Sequence, residues 1–189
     1  MKNNIRITGG SLKGKKISFD FKSSLRPTSS KLREVLFNWL QFEIKDLRCL
    51  DTFAGTGSLG IEALSRGAKK TLFIESNKKN YLVLKKSISE LNLENFSKIL
   101  FKDGLSWMKE NDLSKFDLIL LDPPFNQNYE KKVLEVINKS QNLKSSCKIY
   151  IEFSKFTNLD IPNSFKICKE KTIGDVKALL LENDNQDSL

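Results

Sequence analysis

The strongest constraint on the fold of this 189-residue chain is an alternation of two hydrophobic periods that begins at Arg48. Short apolar runs typical of buried strands alternate with stretches of helical period, such as the one that contains Tyr81, Leu84 and Ile88. The predicted strands cover 49–54, 71–75, 98–102, 116–122 and 148–153, and the predicted helices cover 59–66, 78–93, 105–110 and 129–140. Such an alternation is typical of βαβ units, so we expect an α/β fold with helices on both faces of a parallel sheet.

The segments that flank this alternation are each predicted to form a hairpin. The paired strands are 5–7 with 15–21, and 165–171 with 176–182. Gly9, Gly10 and Gly14 interrupt the first pair and Gly174 the second, as expected for turns. Apolar residues at helical spacing from Leu32 predict one helix that ends near residue 46. The predicted organisation is a basic hairpin and linker over 1–30, one main domain over 31–183 and a disordered tail over 184–189.

Histidine is absent, and the chain has only three cysteines. Without histidine there is no Ser-His or Cys-His nucleophile, no histidine general base and no histidine-ligated metal, so no metal site is expected. Cys49, Cys147 and Cys168 lie far apart and form no CxxC pair, which argues against a disulfide framework or a zinc cluster. The sequence shows no secretory apolar region and no run of about 18 apolar residues, so we expect a reduced, soluble and cytoplasmic protein.

The net charge of +9 is concentrated near the amino terminus. Residues 1–33 contain nine basic side chains and one acid, Asp20. Clustered lysine and arginine favour contact with nucleic-acid phosphates, although a solvated basic face without a partner has the same composition. Interleaved apolar residues such as Ile5 and Ile17 indicate that this segment is folded. The candidate RNA contacts are Arg6, Lys13, Lys15, Lys16, Arg26 and Arg33.

A glycine-rich loop follows the first strand of the alternation. Gly55, Gly57 and Gly60 form a GxGxxG pattern between a predicted strand and a predicted helix. Glycine lets the backbone turn sharply and approach a ligand, and the start of the helix offers free N–H groups. The pattern alone does not distinguish a dinucleotide site from a site for another nucleotide-type ligand.

Acidic residues end or follow three successive predicted strands. Asp51 would point into the glycine loop, where its carboxylate repels a pyrophosphate and attracts an amino group. Glu75 is placed to accept from two ribose hydroxyls, and Asp103, which precedes Gly104, is placed to meet an adenine amino group. Because open α/β sheets bind ligands at the carboxyl ends of their strands, these acids predict one cleft. The structural alternative is that they only cap helices and turns.

The fourth strand ends in Asp122-Pro123-Pro124-Phe125. Neither proline donates an N–H, so the pair predicts a stiff, extended turn with free carbonyl groups. The Asp122 carboxylate and the Pro123 carbonyl can accept both hydrogens of one exocyclic NH₂ group, and Phe125 can stack on a planar base. Such a site activates an amino nucleophile by positioning and electrostatics. A strand-terminating turn with a packed phenylalanine is the structural alternative.

The glycine loop and this tetrapeptide together resemble S-adenosylmethionine-dependent methyltransferases that act on exocyclic amino groups. The flanking sequences resemble the bacterial RsmD family, which methylates N2 of one guanine in small-subunit ribosomal RNA. The similarity covers residues 5–182 and includes Ile5-Arg6-Ile7-Thr8-Gly9-Gly10, Leu12-Lys13-Gly14-Lys15-Lys16, Leu25-Arg26-Pro27-Thr28, Arg33-Glu34-x-Leu36-Phe37-Asn38-Trp39-Leu40 and Glu62-Ala63-Leu64-Ser65-Arg66-Gly67-Ala68. Two departures are Ser30, where the family commonly has Asp, and Ile173, where an aromatic residue often precedes the glycine.

The resemblance implies a Rossmann-like, seven-stranded methyltransferase sheet after a basic hairpin, with S-adenosyl-L-methionine as cofactor and S-adenosyl-L-homocysteine as product. The implied activity is that of a 16S rRNA (guanine(966)-N(2))-methyltransferase. The implied partner is ribosomal RNA within an assembled or assembling small subunit, and the enzyme is expected to be a monomer. The cofactor contacts are Asp51, Phe53, Gly55, Gly57, Glu75, Asp103 and Gly104, and the catalytic residues are Asp122, Pro123, Pro124 and Phe125.

Three other functions fit parts of the sequence. A DNA adenine-N6 methyltransferase also uses an Asp-Pro-Pro-aromatic loop, but this chain leaves little length for a target-recognition region. A nicotinamide-dependent oxidoreductase would use the GxGxxG pattern, but Asp51 and the proline loop are then unexplained. A non-catalytic RNA-binding assembly factor would use the basic hairpin, but the cofactor loop then has no purpose.

Overall fold

The computed structural model describes residues 2–20, 29–124, 128–140 and 143–184. Within these ranges the strands are β1 (Lys2–Arg6), β2 (Lys16–Asp20), β3 (Arg48–Asp51), β4 (Lys70–Glu75), β5 (Ser97–Phe101), β6 (Leu118–Leu121), β7 (Lys148–Ser154), β8 (Phe165–Ile173) and β9 (Val176–Asn183). The α-helices are α1 (Ser30–Trp39), α2 (Ser58–Ser65), α3 (Lys78–Glu90), α4 (Gly104–Glu110) and α5 (Tyr129–Asn138).

Seven of the strands in the described ranges form one sheet with the order β5-β4-β3-β6-β7-β9-β8. The strands from β5 to β7 run parallel, and Leu50 of β3 lies between Leu72 of β4 and Ile119 of β6. The last two strands form a hairpin that adds antiparallel to β7, and β1 pairs with β2 in a separate hairpin. The α/β class, the seven-stranded sheet and both predicted hairpins are therefore confirmed.

The helix that precedes the sheet shows why an element begins and ends where it does. The Ser29 hydroxyl caps α1 by accepting a hydrogen bond from the Leu32 N–H at 3.1 Å. The predicted apolar face is buried, Leu36 included. The helix ends at Trp39, before the predicted limit near residue 46. Turns follow it, and Asp46 has a φ of 63°, which is not a helical conformation.

The sheet separates two apolar cores. On one face, α1, α2 and α3 pack with the β1–β2 hairpin around sheet residues such as Leu118 and Leu120. On the other face, α4 and α5 pack against Ile119 and Leu121. This alternation along β6 is that of a central strand buried on both faces. No helix in the described part of the chain is both long enough and apolar enough to span a bilayer.

The amino-terminal hairpin shares the first of these cores. Its buried apolar side chains are Ile5, Ile7, Ile17 and Phe19. Burial of a side chain of this size contributes about 1.5–3 kcal/mol, so the hairpin is attached through its own apolar face. Residues on both sides of the predicted domain limit at residue 30 thus share one core. The domain limits remain a prediction. Residues 185–189 of the predicted tail lie outside the described ranges.

Candidate active site

Predicted acidic residues meet at the carboxyl edge of the sheet. Asp51 and Glu75 are the last residues of β3 and β4, and Asp122 directly follows β6. β3 lies between β4 and β6, so the strand order reverses at β3. Open α/β sheets bind their ligands in the crevice at such a reversal. The structure thus brings three predicted side chains together on neighbouring strands, at the position where a ligand is expected.

The glycines of the GxGxxG pattern lie where β3 passes into α2, with Gly55 and Gly57 in the loop and Gly60 in the first turn of the helix. Gly57 has a φ of 80°, and a Cβ at this position would overlap the Cδ1 atom of Leu84 in α3. A Cβ on Gly60 would overlap the ring of Phe73, so this glycine lets α2 pack closely on β4. The loop therefore makes its turn at the carboxyl edge while α2 stays pressed against the sheet.

Asp51 is almost completely buried beneath the glycine loop, with 1% of its surface exposed. One carboxylate oxygen accepts a hydrogen bond from the Gly60 N–H at 3.0 Å. Burial raises the pKa of Asp51 to about 7, and the negative charges of Asp122 and Glu75 act in the same direction, against the Gly60 hydrogen bond. Three carboxyl groups therefore lie close together in the cleft, and around Asp51 water cannot screen their charges.

Glu75 is held by two backbone N–H groups. Its Oε2 atom accepts a hydrogen bond from Gly55 at 2.7 Å, and its Oε1 atom accepts one from Asn77 at 2.6 Å. Both bonds fix the carboxylate at the end of β4, beside the glycine loop. Each carboxylate oxygen has a second lone pair, so the group can still accept hydrogen bonds from ligand hydroxyls.

Asp103 and Gly104 lie where β5 connects to α4. Asp103 is exposed and caps α4, since its Oδ1 atom accepts a hydrogen bond from the Ser106 N–H at 2.8 Å. A Cβ on Gly104 would overlap the carbonyl oxygen of Thr52, so this glycine packs α4 against the glycine loop. Asp103 therefore fills the structural role considered as its alternative, and its second oxygen remains for the predicted contact with an adenine amino group.

The Asp-Pro-Pro segment leaves the sheet directly after β6. Asp122 is half-buried, Pro123 is buried and Pro124 is exposed, while Phe125 lies outside the described residues. The negative charge of Asp122 raises the pKa values of both Asp51 on β3 and Glu152 on β7. Asp122 therefore interacts with carboxyl groups on both of the strands that flank β6. The predicted catalytic carboxylate thus belongs to the same cleft as the glycine loop.

Aromatic contacts also connect the two loops of this cleft. Phe53, a predicted cofactor contact, is half-buried, and its ring meets that of Tyr129 edge to face with centroids 5.8 Å apart. Tyr129 is the first residue of α5 and was not among the predicted site residues. Its position at the start of a helix after the proline loop is the sequence signal that would have found it.

A buried tyrosine–glutamate pair lies on β7 and was also missed by sequence reasoning. The Tyr150 hydroxyl donates a hydrogen bond to Glu152 Oε1 at 2.7 Å, and both side chains are buried. Burial raises the pKa of Glu152 well above its usual value, and the charge of Asp122 contributes in the same direction. An acid in an otherwise apolar strand beside β6 was the available signal.

The predicted RNA contacts separate into an exposed set and a buried exception. Four of them are exposed on the hairpin and its loop, namely Arg6, Lys13, Lys15 and Lys16, and Arg26 lies outside the described residues. Arg33 is buried, with 1% exposure, and its Nη2 atom donates to the backbone carbonyl of Arg6 at 2.7 Å. Because a buried guanidinium cannot reach a phosphate, Arg33 is removed from the RNA-contact set and serves to attach the hairpin.

Glu62 of α2 is the buried anion to which the hairpin is attached. Its carboxylate accepts hydrogen bonds from the N–H groups of Thr8 and Gly9 at 2.9 and 2.8 Å, and it pairs with Arg66 at 2.9 Å. Arg33 adds a second ion pair at 3.4 Å. The hairpin loop and two helices therefore converge on one carboxylate, which the sequence pattern did not indicate.

Comparison with known proteins connects this geometry to a family. The sequence model of a family described as "Conserved hypothetical protein 95" matches residues 5–182. The ribosomal RNA small subunit methyltransferase D of Buchnera aphidicola subsp. Acyrthosiphon pisum (strain APS) is 41% identical over 176 residues, which are 93% of this chain and 92% of that protein.

Solved structures show the same architecture. The Escherichia coli protein yhhF has a TM-score of 0.85 and 30% identity, and the match covers 97% of this chain and 100% of that chain. An RNA methyltransferase from Salinibacter ruber, solved in complex with S-adenosyl-L-homocysteine, shares the fold at 12% identity, with a TM-score of 0.66 over 85% of this chain and 95% of that chain. Because the family model matches residues 5–182 and the Buchnera relative is 41% identical over 93% of the chain, this chain belongs to the ribosomal RNA small subunit methyltransferase D family, RsmD.

Proposed function

We propose that this protein transfers a methyl group from S-adenosyl-L-methionine to the exocyclic N2 of one guanine in 16S rRNA, of the guanine 966 type. As a member of its family it is a ribosomal RNA methyltransferase with S-adenosylmethionine as methyl donor. The observation that carries the finer proposal is the placement of Asp122 and Pro123 beside Asp51, at the reversal of strand order.

The chemistry of the cleft fits this cofactor. S-adenosylmethionine has an ammonium group, a carboxylate, a sulfonium centre and a ribose diol, so it brings a net positive charge and two hydroxyls. Besides burial, the negative charges of Asp122 and Glu75 raise the pKa of Asp51. A cationic ligand offsets these negative charges. Asp51 with the Gly55–Gly57 loop would hold the amino acid end, Glu75 the ribose, and Asp103 the adenine amine. Phe53 and Gly104 line the same loops.

The residues after β6 would orient the nucleophile. When bound, the cofactor supplies an electrophilic methyl group. The Asp122 carboxylate and the Pro123 carbonyl accept the two hydrogens of guanine N2, which turns the nitrogen lone pair towards the methyl carbon. N2 would release one of these protons as it becomes methylated, and the Asp122 carboxylate would receive it. Stacking of the base on Phe125, with Pro124 beside it, completes the proposed contacts.

The exposed bases of the hairpin would bind the RNA backbone. Arg6, Lys13, Lys15 and Lys16 present four cations on one small element, and the guanine must leave its stack to enter the cleft at a cost of a few kcal/mol. The relatives of this chain are named as methyltransferases of small-subunit ribosomal RNA. We therefore propose that the substrate is the assembled or assembling small subunit in the cytoplasm, and that the enzyme acts as a monomer.

The test is transfer of labelled methyl from S-adenosylmethionine to small subunits from a strain that lacks this enzyme, with naked rRNA and duplex DNA in parallel. Label recovered as N2-methylguanine from the subunits is the expected result. Label on duplex DNA alone would indicate an adenine-N6 methyltransferase instead. Cofactor binding without label on any of the three would leave the assembly-factor function.

The role of Asp122 has its own test. We expect Asp122→Ala to abolish methyl transfer while cofactor binding, measured by calorimetry, stays within about threefold of the original, because Asp51 and Glu75 remain in place. The matched control is Asp112→Ala, an exposed aspartate outside the cleft, which should keep full activity. An active Asp122→Ala enzyme would contradict the assigned role.

A further inference from the structure

A second cavity opens at the opposite edge of the sheet from the candidate active site. It has a volume of about 610 Å³ and lies where β3, β4 and β5 begin, at Arg48, Lys70 and Ser97. Its floor includes Trp107 of α4 and the adjacent Phe116. The proposed cofactor and guanine contacts lie at the other ends of the same strands, so they do not account for this cavity.

The walls of this cavity are strongly basic. The charged residues that line it are Arg48, Lys69, Lys70, Lys98 and Lys115, all cationic and all exposed. Among the described residues, the ammonium groups of Lys69, Lys70 and Lys98 have no ion-pair partner, and no aspartate or glutamate lines the cavity. Asp117 pairs with Lys144 and also acts on Arg48, and Asp112 acts on Lys115, so the charge that remains without an acidic partner is that of Lys69, Lys70 and Lys98. The cavity therefore has an unneutralised positive potential suited to phosphate groups.

Aromatic side chains accompany these cations. Phe96 lines the cavity with half of its side chain exposed, and Phe116 and Trp107 lie deeper. A concave surface that combines lysines with an exposed aromatic ring recognises a nucleotide, because the cations bind the phosphate and the ring stacks on the base. An apolar or purely anionic ligand would use only one of these two features.

The cavity lies on the same side of the molecule as the basic hairpin loop. The Ser11 N–H donates to the carbonyl oxygen of Ser65 at 2.7 Å, which fixes the hairpin loop at the last residue of α2. Lys69 and Lys70 follow this point after the short turn that leads into β4. Phosphates that contact Lys13 and Lys15 on the loop can therefore continue towards the cavity.

We propose that this cavity binds a nucleotide of the RNA substrate outside the methylated guanine, with its phosphate among Lys69, Lys70 and Lys98 and its base against Phe96. The inference rests on the proposed function, which supplies the RNA. It extends the RNA-binding surface from the hairpin to the amino edge of the sheet. A free nucleotide shares the same chemistry, and the two sources are separated by the test below.

The first experiment uses Trp107 as a reporter inside the cavity. The chain has two tryptophans, so Trp39→Phe leaves Trp107 as the only one. This protein is titrated with a short oligouridylate, which contains no guanine for the methylation site, and separately with AMP at the same nucleotide concentration. We expect the oligouridylate to change Trp107 fluorescence and AMP to have little effect. A response to AMP alone, or to neither, would overturn the proposal.

The second experiment removes the cations. Lys70→Ala with Lys98→Ala should weaken oligouridylate binding and lower the slope of log affinity against log salt by about 0.7, because both lysines contact the same phosphate and each neutralised phosphate of a single strand contributes about 0.7. The control pair is Lys166→Ala with Lys169→Ala, exposed lysines on β8 at the far edge of the sheet. Equal slopes for the two pairs would overturn the proposal, whatever the affinity.

The aromatic contact and the dependence on the proposed function are tested with the same assay. Phe96→Ala should weaken binding by about 5- to 150-fold, because one stacked base contributes about 1–3 kcal/mol, whereas Phe156→Ala, at an exposed site elsewhere, should not. Methyl transfer to small subunits is measured on the unmodified protein. If the unmodified protein transfers methyl groups but the cavity variants bind RNA as tightly as it does, only this inference fails. If the cavity variants bind RNA more weakly but the unmodified protein transfers no methyl group, only the proposed function fails.

Discussion

We expect the protonation of the Asp51 carboxyl to depend on whether a cationic ligand is bound. Burial raises its pKa to about 7 in the folded, ligand-free protein, whereas an aspartate in an unfolded chain has a pKa of about 3.9. The folded protein therefore holds this proton more tightly. The contribution of Asp51 to stability is fully present below about pH 4 and is lost as the pH rises to about 7. Cofactor binding must show the opposite trend, since a cation favours the carboxylate.

We expect the affinity for S-adenosylmethionine to rise between about pH 5 and pH 7, by up to about tenfold per pH unit, and to level off above about pH 7. Calorimetry across this range measures it. Asp51→Asn should bind more weakly and with a flatter profile, while Asp112→Asn, at an exposed site, should retain the original profile. A flat profile for the unmodified protein would contradict a proton on Asp51.

The surroundings of Glu152 favour its neutral form over its carboxylate. Its raised pKa follows from burial and from the charge of Asp122, and it accepts the hydrogen bond of the Tyr150 hydroxyl. Glu152→Gln keeps the shape and the acceptor, so the free energy of unfolding in urea at pH 7 should change by less than about 1 kcal/mol. Glu152→Ala should cost about 1–3 kcal/mol or more, because the buried Tyr150 hydroxyl loses its partner. Equal losses for the two variants would show that an ionised Glu152 is required.

At the scale of elements, two glycines with positive φ allow the energetic cost of backbone strain to be distinguished from the cost of a steric overlap. Gly174 in the β8–β9 turn has a φ of 59° and open space where a Cβ would lie, whereas Gly57 has a φ of 80° and Leu84 against it. Gly174→Ala should therefore cost about 1–2 kcal/mol, the penalty of the left-handed conformation alone. Gly57→Ala should cost clearly more in urea unfolding and should also weaken cofactor binding. Similar losses at both positions would remove the contact with Leu84 from the explanation.

The elements themselves could be predicted from the sequence because their hydrophobic periods match the burial that the fold imposes. Strand β6 (Leu118–Leu121) is buried on both faces, and its run of leucine and isoleucine indicates this directly. Boundaries were less predictable, since β3 ends at Asp51 where the glycine loop begins to turn, not at residue 54. The order of strands in the sheet has no signal in local periodicity, because it depends on contacts between distant residues.

The candidate site was predictable only where chemistry coincides with the end of a strand. Asp51, Glu75 and Asp122 all follow apolar runs, so their shared edge could be inferred. The burial of Glu62 and Glu152 was not predicted, because a single acid within an apolar element can equally be an exposed position until its partners are known. The burial of Arg33 was missed for the same reason.

At the scale of the whole molecule, Glu62 joins the hairpin to the sheet domain. Glu62→Ala would leave the buried Arg33 without its partner, so we expect a loss of about 3–5 kcal/mol in the free energy of unfolding. Amide hydrogen exchange at Thr8 and Gly9 should increase, because both N–H groups lose their acceptor. Glu90→Ala removes an exposed pair with Lys86 and should change stability by less than about 1 kcal/mol. A Glu62→Ala protein with unchanged exchange at these two amides would contradict the attachment.

Helix α2 begins at the glycine loop and ends at Ser65, where the basic loop is bound. Its eight residues span about 12 Å, and its packing against the sheet leaves this length fixed. On the proposed function, α2 would hold the methyl-transfer cleft and the lysine-bearing loop at a fixed separation. We expect an RNA to be methylated when the distance between its backbone and its extruded base matches this separation, so that the three-dimensional shape of the folded substrate would select the target more than the nucleotide sequence around it.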